Sequence, residues 1–144
     1  MYRYVAGELN VLLVHPGGPF FARKDEGVWS IPKGEFENED PLEAARREFQ
    51  EETGFEARGH FMPLAPVTQK HGKRVFAWAL EGDLDPRQLN SNTFEIEWPP
   101  HSGRKQEFPE VDRAEWFTME MAATKIKSAQ LALLLELQQK LGER

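Results

Sequence analysis

A mixed α/β fold of the α+β kind, with strands and helices sharing one core, is predicted by three stretches of the chain. Val11-Leu12-Leu13-Val14 is a short β-branched and leucine run of the kind that forms a buried strand. Residues 65–70 and 74–80 are apolar or alternating runs on either side of His71-Gly72-Lys73, which is a hairpin signature. Between them, residues 40–53 carry start and stop signals for a helix.

The totals bound the problem. At 144 residues the chain is expected to be one domain, residues 1–144, long enough to bury a core. A net charge of −6 argues against a nucleic-acid polymer held on a basic face, though not against small phosphorylated molecules whose charge a metal ion offsets. There are no cysteines, so disulfide and thiol chemistry are excluded, which fits a cytoplasmic protein. No apolar run reaches membrane-spanning length, and Met1-Tyr2-Arg3 does not open a signal peptide.

Residues 2–5, ahead of a Gly7-Glu8 turn, read as part of a hairpin strand preceding the 11–14 strand. Residues 15–27, H-P-G-G-P-F-F-A-R-K-D-E-G, form a loop longer than a tight turn needs, and such loops are often functional. Arg23 and Lys24 can reach a polyphosphate there, and Phe20 or Phe21 can pack on a base. The alternative is an ordinary surface crossing with its aromatics turned inward. His15 reads as a hydrogen-bonded strand-end residue rather than a ligand.

The helix follows the turn Pro32-Lys33-Gly34 and an acidic loop. Asp40 suits the N-cap, Pro41 the first helical position, Glu43 the capping box, and Gly54 a left-handed stop. At about 100° per residue, Leu42, Ala45 and Phe49 cover a stripe about 60° wide. That puts Glu48, Glu51 and Glu52 along its edge, with Arg47 four residues before Glu51 and able to pair with it. Three carboxylates so close raise one another's pKa values unless a cation sits among them. A hard divalent ion with oxygen ligands, Mg²⁺ or Mn²⁺, meets that need; a solvated acidic face is the plainer alternative.

In the hairpin, Val75, Ala77 and Ala79 face one side and Phe76, Trp78 and Leu80 the other, which suits a strand covered on both faces. Lys70, Lys73 and Arg74 gather at the turn, as phosphate contacts or as a solvated tip. Asp85-Pro86 starts a helical turn, and Thr93 to Trp98 alternates as a strand with one exposed face until Pro99-Pro100 stops it. Residues 101–109 are expected as a loop before a strand around 114–117. Thr118 caps a final helical region with a break near Lys127-Ser128, a stop at Gly142, and an apolar stripe of Ile126, Leu131, Leu134, Leu135 and Leu141. The stripe serves core packing or, as the alternative, a homodimer contact, so the state is monomer or homodimer.

Around the central helix, Glu39, seven intervening residues, Arg47-Glu48-Phe49, Gln50, Glu51-Glu52, Thr53 and Gly54-Phe55 resemble the Nudix box, G-x5-E-x7-R-E-U-x-E-E-x-G-U with U apolar. One departure is visible: four residues, not five, separate Gly34 from Glu39. The runs N-T-F-E-I-E-W-P-P-x-S-G and E-F-P-E-V-D-R-A-x-W-F extend the resemblance over nearly the whole chain, towards a bacterial subgroup of predicted NTP pyrophosphohydrolases. Against that subgroup's Ser-Ala-Gly-apolar lead, the first strand is expected to be shortened here.

The resemblance implies the Nudix fold, a mixed β-sheet sandwiched between α-helices. It also implies Mg²⁺- or Mn²⁺-dependent hydrolysis of a phosphoanhydride in a nucleoside diphosphate linked to another moiety. Substrates of that class are nucleoside triphosphates, dinucleoside polyphosphates and related pyrophosphates. By position, Glu48 and Glu52 match the metal ligands, and Glu51 a further ligand or base. Arg47 matches the arginine that orients the cluster, the Gly34 carbonyl another ligand, and Glu39 a structural glutamate. Many members draw the general base from a loop outside the box, for which Glu107 and Glu110 are both candidates. Lys33, beside Gly34, is a candidate phosphate contact. The alternative function is a non-catalytic Nudix-fold module that binds and senses a nucleotide.

Overall fold

The computed structural model describes residues 1–33 and 38–142. In chain order its main elements are β1 (Tyr2–Val5), β2 (Glu8–Pro16), α1 (Pro41–Thr53), β3 (Met62–Thr68), β4 (Arg74–Ala79), β5 (Thr93–Glu97), β6 (Lys105–Pro109), β7 (Val111–Thr118), α2 (Met119–Lys125) and α3 (Leu131–Lys140).

The apolar run expected as a strand is the centre of the molecule. β2 pairs antiparallel with β1 on one edge and with β7 on the other. Where β1 ends, Ser30 takes over the same edge, exchanging both backbone hydrogen bonds with Val14 at 2.9 and 3.0 Å. Trp29 in turn bridges Ile126 in parallel, and Tyr2 bridges Glu81 in parallel, so the pairing around β2 is mixed. Because side chains alternate along a strand, Val11 and Leu13 enter one core and Leu12 and Val14 the other.

The first core is closed by Trp29, Phe117 and the helical residues Ala122, Leu134 and Leu137. The second is closed by Phe49 of α1 with Ala57, Leu80, Leu84, Val111 and Ala114. The sheet thus lies between α1 on one face and α2 with α3 on the other. Leu13, with 0% of its surface exposed, gains about 1.5–3 kcal/mol from burial.

Several expectations shift by small amounts for identifiable reasons. The first turn is Ala6-Gly7, both at positive φ, one residue before the Gly7-Glu8 reading. The hairpin strand β3 starts at Met62, and its turn is a short 3-10 stretch, Lys70–Gly72. β4 buries Val75, Ala77 and Ala79, but Phe76 is 38% exposed, so only one of its faces is fully covered. The span 101–109 is not a plain loop: β6 folds back on β5 as a two-stranded ribbon, with Phe94 opposite Phe108. In the last helix Leu133, Leu134 and Leu137 are buried, whereas Leu135, assigned to the stripe from sequence, is 53% exposed. The break between α2 and α3 falls at Ile126–Lys127, as the sequence indicates.

Candidate active site

Helix α1 forms as its end signals dictate. The Asp40 carboxylate accepts the Glu43 N–H at 3.1 Å, and Gly54 adopts φ 82° with its N–H on the Gln50 carbonyl. Its buried face differs from the stripe expected from Leu42, Ala45 and Phe49. Ala44, Glu48, Phe49, Glu52 and Thr53 are the buried residues, so two carboxylates lie on the buried face itself rather than along its edge. Glu48 and Glu52 are each only 9% exposed.

Arg47 holds this cluster together. Its guanidinium contacts Glu39 at 2.5 Å, Glu48 at 2.7 Å and Glu51 at 3.2 Å. The i,i+4 pair read from sequence is therefore one of three, and these carboxylates push the arginine's pKa further up, Glu39 most strongly. Glu52 is outside that grip. Its Oε1 accepts the Lys33 backbone N–H at 3.3 Å. Burial drives its pKa up to about 8, with nearby Glu48 and Glu110 adding to the shift and Lys33 opposing it.

The last turn of α1 also fixes a residue far along the chain. The Asn92 N–H donates to the Glu51 carbonyl at 2.7 Å, and the Glu110 N–H donates to the Asn92 carbonyl at 2.8 Å. The Glu110 carbonyl accepts the Gly17 N–H at 2.9 Å. So Glu110 is pinned beside α1, and its pKa is raised by burial and then by Glu48 and Glu51. Glu107 goes elsewhere: on the exposed ribbon it accepts a hydrogen bond from the Thr93 hydroxyl at 2.5 Å.

Lys33 lines a cleft of about 360 Å³ with Glu48, Gln69, Lys73 and Arg74. Of the turn residues, it is Lys73 and Arg74 that line this cleft, while Lys70 sits exposed on the 3-10 stretch. Arg23 and Lys24 are exposed on the 15–27 loop, where the Lys24 ammonium lies over the Phe21 ring. Phe20 packs edge-on against Trp98 of the ribbon. His15 is fully buried, bonded to Asp112 and to the Lys24 carbonyl at 2.7 Å each, a structural strand-end role. Gly34 lies outside the described residues.

Lys127 is a neighbour that the local sequence does not reveal. Read along the chain it only marks a helix break. The pairing of Trp29 with Ile126 brings it within electrostatic reach of Lys33 and Glu52.

Among the described residues no three carboxylate or imidazole groups are already assembled to grip an ion. The donor chemistry nonetheless suits a hard divalent cation. Glu48, Glu51, Glu52 and Glu110 form one electrostatically coupled group of oxygen donors, and burial and like charge push both Glu52 and Glu110 towards the protonated form. A cation among them would reverse both effects.

Comparison with known proteins bears on the family and the fold. The chain matches the NUDIX domain family over residues 4–137. It is 34% identical over 110 residues to an RNA pyrophosphohydrolase of Bartonella henselae, a match covering 64% of this chain and 57% of that protein's length. Among solved structures, a Caenorhabditis elegans (C. elegans) Ap4A hydrolase in a binary complex aligns with a TM-score of 0.62 at 24% identity, covering 98% of this chain and 92% of that one. The NUDIX domain of Shewanella oneidensis NrtR complexed with ADP ribose aligns with a TM-score of 0.66 at 17% identity, covering 97% and 82%. At these identities the structural likeness establishes the fold alone.

Proposed function

The chain belongs to the NUDIX domain family, and from that premise we propose that it is a divalent-metal-dependent pyrophosphohydrolase acting on a nucleoside diphosphate linked to a further group. The observation that carries this reading is the coupling of Glu110 to Glu48, Glu51 and Glu52, beside a cleft that Lys33 also lines.

Glu48, Glu51 and Glu52, with the Gly34 carbonyl, are the groups that would hold Mg²⁺ or Mn²⁺. When bound, such an ion offsets phosphate charge and lowers the pKa of a coordinated water. Arg47 orients Glu48 and Glu51 from α1, a rigid support that loop residues do not match. Glu110, held through Asn92, serves as proton acceptor for the attacking water, since its raised pKa brings it closer to the working range of a base near neutrality. Lys33 binds a substrate phosphate, with Arg23, Lys24 and Lys70 as outer cations on mobile-length side chains. A cytoplasmic location and a monomeric or homodimeric state belong to the same proposal.

The test is a panel of nucleoside triphosphates, dinucleoside polyphosphates, ADP-ribose and a short RNA with a 5′-triphosphate, assayed with and without Mg²⁺. The RNA is included because of the Bartonella henselae relative. Products are identified as phosphate, pyrophosphate or a mononucleotide. Mg²⁺-dependent turnover that Glu52→Gln abolishes is the expected result. Equal turnover by the two proteins overturns the metal-site reading, and tight nucleotide binding with no product makes the chain a nucleotide-binding module instead.

A further inference from the structure

We propose that Gln69 is a substrate-binding residue whose side-chain NH₂ donates to a phosphate oxygen in the cleft that Lys33 and Glu48 line, and that the buried Gln130 holds it in that orientation. The proposal rests on the hydrolase reading above and adds a residue to the same site.

Contacts on both sides place the Gln69 side chain. The residue stands where β3 ends and the 3-10 turn begins, and its backbone N–H donates to the Lys73 carbonyl at 2.6 Å across that turn. It precedes the turn without capping it, so its own backbone does not use the amide. The side chain instead lines the cleft of about 360 Å³ together with Lys33 and Glu48.

Which end of the amide faces the cleft follows from a chain of donors. The Ile31 N–H can only donate, and it meets Gln130 Oε1 at 3.0 Å. That fixes the Gln130 amide, whose NH₂ then lies 3.1 Å from the Ser30 hydroxyl and 3.1 Å from Gln69 Oε1. The Ser30 hydroxyl gives its own proton to the Ile31 carbonyl at 2.6 Å, so towards Gln130 it accepts. Gln130 is fully buried, and water replaces neither partner. Reversing the Gln69 amide would set one NH₂ against another. With Oε1 taken by Gln130, the Gln69 NH₂ keeps two N–H donors that have no partner among the described residues, on a nitrogen not sealed from solvent. Lys33, Lys73 and Arg74 line the same cleft, so the acceptor that enters it is anionic. A donor pair fixed in advance loses little freedom when that acceptor arrives.

Two variants separate binding from support. Gln69→Met adds no charge but removes both the donor and the acceptor that Gln130 uses. Gln69→Glu keeps an oxygen for Gln130 and replaces the NH₂ with an acceptor. Binding of inorganic pyrophosphate in Mg²⁺ is measured by calorimetry well below each Tm, and KM and kcat are measured on whichever panel substrate the wild type cleaves. The expected result is a loss of about tenfold in pyrophosphate affinity for Gln69→Met, with a similar rise in KM, and a larger loss for Gln69→Glu. Tm should fall by several degrees in Gln69→Met, where a Gln130 N–H is left unpaired, and stay at the wild-type value in Gln69→Glu. Folded Gln69→Met with wild-type pyrophosphate affinity and KM overturns the proposal, since a merely supporting residue moves Tm alone. A rise in KM with unchanged pyrophosphate affinity overturns it too, because the donor then meets another part of the substrate. A Tm loss in Gln69→Glu equal to that in Gln69→Met overturns the role given to Gln130. In each case a wild type that cleaves the panel leaves the hydrolase reading standing. If the wild type neither cleaves the panel nor binds pyrophosphate, both fall.

Discussion

Glu110 is joined to Glu51 through a single residue, with the backbone of Asn92 donating to the Glu51 carbonyl at 2.7 Å and accepting the Glu110 N–H at 2.8 Å. The link holds a loop carboxylate against the helix that carries Glu48, Glu51 and Glu52, whereas Glu107 lies out on the β5–β6 ribbon. Glu110→Gln is expected to lower kcat by about 10²–10³-fold, the scale seen when a positioned acid–base group is lost. Glu107→Gln should stay within about threefold of wild type, as expected for a surface change away from the chemistry. The pair is read by kcat on the best panel substrate, and equal losses in both variants would remove the distinction.

The same crowding of carboxylates gives a pH signature. Glu52 has a pKa of about 8 in the fold against an ordinary value of 4.5. Its raised value means that the folded state binds the proton more tightly. The associated stability is fully present below about 4.5 and is lost as pH rises towards 8. Glu110 shifts in the same direction and adds to the trend. In EDTA, the wild-type Tm should therefore fall over this range more steeply than that of Glu52→Gln. Mg²⁺ should restore the wild type at the alkaline end, because it binds the ionised carboxylates of the folded state. Parallel pH profiles for the two proteins would contradict the assignment.

The end signals of α1 were legible because they are local chemistry: Asp40, Pro41 and Gly54 act on backbone groups within a turn of themselves. The identity of its buried face was not. Periodicity assigns burial by apolarity, and here Glu48 and Glu52 occupy buried positions that an apolar count gives to Leu42 and Ala45. The β5–β6 ribbon was half legible, since Thr93 to Glu97 alternates cleanly while Lys105 to Pro109 is too polar to announce a strand. Glu107 and Glu110 were indistinguishable in sequence, because what separates them is the link through Asn92. Lys127 was invisible for the same reason: its position follows from the bridge between Trp29 and Ile126, a contact across the chain that no local spacing encodes.

The Arg47 guanidinium touches Glu39, Glu48 and Glu51 together. A lysine supplies a charge there but not the planar fork that reaches several carboxylates at once. Arg47→Lys should therefore lower kcat/KM by about 10–100-fold, the usual cost of disturbing groups that orient metal ligands. Its Mg²⁺ requirement should rise at the same time. Titrating activity against Mg²⁺ separates this from a general loss of stability, which would leave the half-saturating concentration unchanged.

Gly17 places Glu110 from the other side. Its N–H donates to the Glu110 carbonyl at 2.9 Å, and a Cβ added at Gly17 would stand 1.9 Å from the Pro109 carbonyl oxygen. That contact is with backbone, so no side chain can swing aside to make room. Gly17→Ala must push the end of β6 away from the 15–27 loop, at about 1–3 kcal/mol for an overpacked site of this kind. For a chain of this size that corresponds to a fall in Tm of several degrees, at roughly 2–4 °C per kcal/mol. Because the displaced peptide carries Glu110, activity should fall at temperatures well below the new Tm, with the folded fraction still complete. Unchanged kcat in a measurably destabilised Gly17→Ala would mean that Glu110 does not need its present position for the reaction. The combined variant with Glu110→Gln then decides the matter: if both changes act through Glu110, the double variant is no slower than Glu110→Gln alone.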